Sequence, residues 1–111
     1  MDGEKIGKIQ SVSFGLGGYQ DAQFGLSVTL GSDVGSWGVC SFDGYWSMEP
    51  SDHAKWDTRD QNEAFANTAR KTIELLQAAK VNNVSDLKNK PVACVFERGV
   101  LKSWRLLTEV I

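Results

Sequence analysis

The chain has 111 residues, 41% of them hydrophobic and 23% charged, with a formal net charge of −2. That length suits one domain spanning residues 1–111 and leaves no room for two. The slight acidity disfavours a duplex-binding protein, which needs a net cationic face.

Lys8 to Phe14 alternates and predicts a first strand, with Gln10, Val12 and Phe14 on one face and Ile9, Ser11 and Ser13 on the other. Gly15 to Asp21 then reads as a glycine-rich hairpin turn that needs positive φ. Phe24, Leu26, Val28 and Leu30 alternate with Gly25, Ser27 and Thr29, which is the cleanest strand pattern in the chain. After a break at 31–35, Trp37 to Asp43 predicts a third strand that closes a meander.

Gly44 to Trp56 is irregular and long for a plain connection, a common property of functional loops. A helix follows to about Lys80. Thr58 and Gln61 have capping-box spacing, and Phe65, Ala69, Ile73, Leu76 and Ala79 recur at helical intervals as one apolar stripe. A helical turn is expected near Ser85 to Lys88. Pro91 opens a fourth strand with Val92, Cys94 and Phe96 on one face. Glu97-Arg-Gly-Val signals a hairpin into a fifth strand, Leu101 to Leu107. The expected fold is therefore α+β: an antiparallel five-stranded sheet in β-β-β-α-β-β order with one main helix packed on it.

Cys40 and Cys94 each sit inside a strand-like run and read as buried free thiols. Two cysteines and one histidine are too few for a zinc site, and no cofactor is expected. The N-terminal Met-Asp-Gly-Glu-Lys-Ile lacks a leader's apolar run, and no apolar run approaches the ~18 residues of a membrane span, so a cytoplasmic protein is expected. His53 stands beside Asp52 in the irregular loop, whereas a Ser-His-Asp relay draws its members from separate elements. No catalytic centre is expected.

The residues left over are aromatic and cationic. Phe14, Phe24, Phe65 and Phe96 fit the core pattern, but Trp37, Tyr45, Trp46 and Trp56 lie among glycines and polar residues. They read either as a satellite core under the loop or as a stacking platform. In the last strand, alternation sets Lys102 beside Trp104 and turns Ser103 and Arg105 the other way. A cation beside an indole suits a nucleobase carrying a phosphate. The candidate binding residues are Tyr19 and Asp21 from the first turn, Trp46 from the loop, Arg59 from the helix, and Lys102, Trp104 and Arg105 from the last strand. The rival reading is a protein-binding inhibitor of a host enzyme or nuclease, with exposed tryptophans as hot spots. A single-stranded nucleic-acid binder is disfavoured by the charge, and a small hydrolase would have to use Asp52 and His53.

The segments Ser13 to Asp21, Gly25 to Leu30, Ser36 to Val39 and Leu101 to Val110 resemble small phage proteins of the Thoeris anti-defence sponge family. The resemblance implies a non-catalytic protein, acting in the host cytoplasm, that captures a cyclic ADP-ribose isomer or a cyclic oligonucleotide. It also implies a homodimer or higher homo-oligomer with pockets between subunits.

Overall fold

The computed structural model describes residues 2–110. Five antiparallel strands form one sheet: β1 (Gly3–Gly17), β2 (Gln23–Gly31), β3 (Gly38–Trp46), β4 (Pro91–Glu97) and β5 (Val100–Leu106). One helix, α1 (Thr58–Ala79), connects β3 to the second half, followed by a 3-10 turn at Val84–Leu87. The fold is α+β, as the alternation predicts. Strand order is β3-β2-β1-β4-β5. β1 to β3 form a meander and β4 returns beside β1, which is a Greek key with α1 in its long connection.

β1 joins the two halves of the sheet. Lys8 to Gly17 pairs with β2, and Gly3 to Lys8 pairs with β4. The strand outruns its apolar pattern at both ends because cross-strand partners, not composition, hold it extended. Gly15 and Gly17 lie in the ladder opposite Gly25 and Gln23. The turn starts only at Gly18, with φ 67°. Gln20 and Asp21 then take left-handed φ of 52° and 55°, so glycine supplies only part of the positive φ there.

A bulge corrects the expected faces of β1. Ile9 pairs with Leu30 and Ser11 with Thr29, which leaves Gln10 as an extra residue. Ile9 therefore shares a face with Val12 and Phe14, and it is fully buried. The core gathers Ile9, Leu26, Val28, Leu30, Leu87, Val92, Cys94, Phe96 and Leu106 on the helix side of the sheet.

The helix begins one residue earlier than its capping-box reading. Asp57 Oδ1 accepts the Asp60 N–H at 2.9 Å, and the Asp57 N–H donates to Asp60 Oδ2 at 3.0 Å. That frees Gln61 to point inward, where its Nε2 donates to the carbonyls of Trp46 at 2.6 Å and Met48 at 2.9 Å. The buried face of α1 carries Gln61, Thr68, Thr72 and Ala79, flanked by Phe65, Leu75 and Leu76. Ala69 and Ile73 of the predicted stripe are exposed. The polar positions win because each has a bond to make. Thr72 Oγ1, for instance, donates to the Thr68 carbonyl at 2.8 Å. Gln61→Ala should lower stability by about 2 kcal/mol, or roughly 10 °C in Tm. Thermal unfolding by circular dichroism checks it.

Two further expectations are corrected. Phe14 is 41% exposed, because α1 packs on β2 and β3 and leaves the C-terminal half of β1 uncovered, and Phe24 is 37% exposed although Phe65 of α1 meets it edge to face at 6.1 Å. Cys94 is buried, and burial raises its thiol pKa. Cys40, by contrast, is exposed. Its pairing with Thr29 puts it on the face turned away from the helix, on an edge strand. A thiol reagent should therefore label Cys40 alone in the folded protein and both cysteines in denaturant.

Candidate functional site

Both outer strands and the helix meet at one cleft of about 240 Å³. Leu26 and Val28 of β2, Leu75 of α1 and Leu106 of β5 give it an apolar lining. Ser41 and Asp43 of β3, Lys71 of α1, and Trp104 and Arg105 of β5 complete it.

Strand register explains the polar wall. Asp43 pairs with Leu26 and Ser41 with Val28, so both side chains share the helix-facing row with the core. Asp43 Oδ2 lies 3.3 Å from Lys71 Nζ, and Asp43 Oδ1 accepts the Thr68 hydroxyl at 3.4 Å. The Lys71 and Asp43 side chains are 66% and 40% exposed, so water screens the pair and it adds at most about 1 kcal/mol. An exposed pair of this kind can exchange partners when an anion arrives. Arg105 Nη1 lies 3.6 Å from Glu109 Oε1, in the 3-10 turn Thr108–Val110 that follows β5. Trp104 pairs with Cys94 in the ladder and is half-buried against the core. The cleft thus offers an indole, an ammonium, a carboxylate and a hydroxyl above an apolar floor, while Arg105, which pairs with Ala93 on the row opposite Trp104, borders it.

Of the seven residues singled out in the sequence, the cleft contains Trp104 and is bordered by Arg105, which pairs with Ala93 on the opposite row of β5. Lys102 is separated from Trp104 by a register shift: Val95 pairs with Ser103 and Phe96 with Leu101, so Lys102 is the extra residue. It bonds Glu97 at 2.7 Å and lines a shallow hollow at the β4–β5 turn. Tyr19 is 68% exposed at the β1–β2 turn, with Asp21 exposed beside it. Trp46 pairs with Gln23 at the end of β3, on the row opposite Asp43. Arg59 is exposed on the first turn of α1, 3.8 Å from Glu63. Tyr45 and Trp56 meet edge to face at 5.6 Å, which fits the satellite core under the loop. His53 and Asp52 are exposed in that loop.

Lys71, Asp43, Ser41 and Thr68 escaped the sequence reading. Lys71 looks like any solvated helix lysine, and Asp43 like the end of a strand. Only the crossing of α1 over β3 pairs them.

No family model, curated protein or solved structure matches this chain. Among the described residues no helix is long and apolar enough to cross a membrane.

Proposed function

We propose that this chain is a non-catalytic binding protein that sequesters a nucleotide-derived signal in the cleft beside Trp104. The observation that carries the reading is the convergence of one indole and the Lys71 ammonium over an apolar floor, with Asp43 and Ser41 alongside and Arg105 at the border. An adenine would stack on Trp104, and a phosphate would draw Lys71 from Asp43. Asp43, so released, would accept ribose hydroxyls. The ligand class is the one implied by the resemblance to anti-defence sponges: a cyclic ADP-ribose isomer, with cyclic oligonucleotides as the next candidate, captured in the host cytoplasm.

Size supports an oligomer. Pockets that enclose a drug-sized ligand run to roughly 300–1,000 Å³, and this cleft offers about 240 Å³. One protomer has room for part of a dinucleotide, and a second copy would close over the rest. The rival inhibitor reading needs exposed tryptophans, and all four are partly buried, which favours the cleft.

The test is capture and release. Purified protein is mixed with cyclic ADP-ribose isomers, freed of excess ligand, heat-denatured, and the supernatant analysed by mass spectrometry. The expected result is stoichiometric release of unchanged ligand. Converted product would replace the reading with an enzyme, and no retained ligand would reject it.

A further inference from the structure

Among the residues that line the cleft, Asp43 alone is acidic. For an anionic ligand that carboxylate is a liability. A phosphate approaching Lys71 meets like charge on Asp43, and the repulsion lowers affinity unless the ligand donates a hydrogen bond to the carboxylate.

Two groups hold the carboxylate, and a ligand can compete for only one of them. Lys71 Nζ lies 3.3 Å from Oδ2, with its side chain 66% exposed and open to an incoming phosphate. Thr68 is 4% exposed and lies outside the cleft lining, and its hydroxyl donates to Oδ1 at 3.4 Å. A hydroxyl has one hydrogen, and within a helix it commonly goes to the carbonyl four residues back. Thr72 follows that habit, donating to the Thr68 carbonyl at 2.8 Å. Thr68 instead sends its hydrogen across to β3. The contact is long against the roughly 2.5–2.7 Å of a tight hydroxyl–carboxylate bond, so it has room to tighten when Lys71 leaves Oδ2.

We propose that Thr68 is a positioning residue: it keeps Asp43 in place once a phosphate has taken Lys71, and Asp43 so held makes the cleft select for a free hydroxyl on the sugar of the stacked base. This role rests on the nucleotide reading of the cleft. Thr68 fixes Oδ1, and Oδ2, vacated by Lys71, is free to accept. A sugar with its 2′-hydroxyl donates to Oδ2 and offsets the repulsion. A 2′-deoxy sugar leaves an unpaired carboxylate beside a phosphate, so the wrong ligand is actively disfavoured. The Asp43 side chain is 40% exposed, and water softens that penalty. The expected selectivity is therefore roughly tenfold, the order of one charge-assisted bond.

Isothermal titration tests it, with cyclic ADP-ribose and the analogue lacking the 2′-hydroxyl of its adenosine ribose as probes. The wild type should bind the first roughly tenfold tighter. Thr68→Val keeps the shape and removes the hydroxyl. It should bring the ratio close to one by weakening cyclic ADP-ribose and leaving the deoxy analogue unmoved. Thr68→Ser restores the hydroxyl and should restore the ratio. Asp43→Asn removes the repulsion and should strengthen binding of the deoxy analogue, which a purely structural role for the carboxylate would not do. Equal binding of the two probes by the wild type would overturn the selectivity and leave the nucleotide reading standing. So would a Thr68→Val variant that weakens both alike, or a Thr68→Ser variant that behaves as the valine does. A wild type that binds neither probe would remove the nucleotide reading and the role of Thr68 together.

Discussion

Trp104→Ala is expected to weaken nucleotide capture roughly 5- to 150-fold, the value of one base stacked on an aromatic ring at about 1–3 kcal/mol. The same change removes packing, because the indole lies half-buried on the core beside Cys94. Two companions separate these effects. Trp104→Phe keeps a ring in place and should retain most of the affinity. Lys71→Met keeps the aliphatic stem and removes only the ammonium. Its ion pair with Asp43 is exposed, so stability should change by less than about 1 kcal/mol. Phosphate affinity should fall roughly tenfold, the order of one charge-assisted bond. Isothermal titration with thermal unfolding reads both quantities on each variant.

Gly25→Ala is expected to be the most damaging small substitution in the sheet. Gly25 and Gly44 face each other across β2 and β3. A Cβ on Gly25 would fall on the Asp43 carbonyl and lie 2.5 Å from Gly44 Cα. A Cβ on Gly44 would meet the Phe24 carbonyl and the Phe42 ring at 2.8 Å. The obstacles are largely backbone, which yields only by opening the ladder. The expected loss is about 3 kcal/mol or more, a fall of at least roughly 12 °C in Tm. Gly15→Ala is the matched control: nothing lies within 4 Å of its Cβ position, so stability should hold. The damage would reach the cleft too, since Asp43 of the polar wall adjoins Gly44.

The order of elements was legible because apolar alternation and helical spacing report which side of each element is buried. What alternation cannot report is a break in its own parity. Gln10 and Lys102 are each an extra residue in a ladder. The first moves Ile9 into the core, and the second carries Lys102 away from Trp104. The helix misled for another reason. Its most apolar stripe is not its buried one, because Gln61 and Thr72 find backbone carbonyls to bond while Ile73 has nothing to cover it. Phe14 has the pattern of a core residue, yet its exposure depends on how far α1 reaches, which no local window contains. At the cleft, Trp104 and Arg105 stood out by residue type alone. Lys71 and Asp43 acquire meaning only when α1 crosses β3, 28 residues apart in sequence.

The four indole N–H resonances give the most direct reading of the site. In a two-dimensional 15N–1H spectrum, each is assigned by single Trp→Phe substitution and followed while a cyclic ADP-ribose isomer is titrated in. The Trp104 signal should shift and saturate with one ligand per cleft, while Trp37, packed edge to face on Phe96 at 5.5 Å, stays fixed. A saturating titration that leaves Trp104 unmoved, or moves only Trp46 and Trp56, would place the ligand elsewhere and contradict the account.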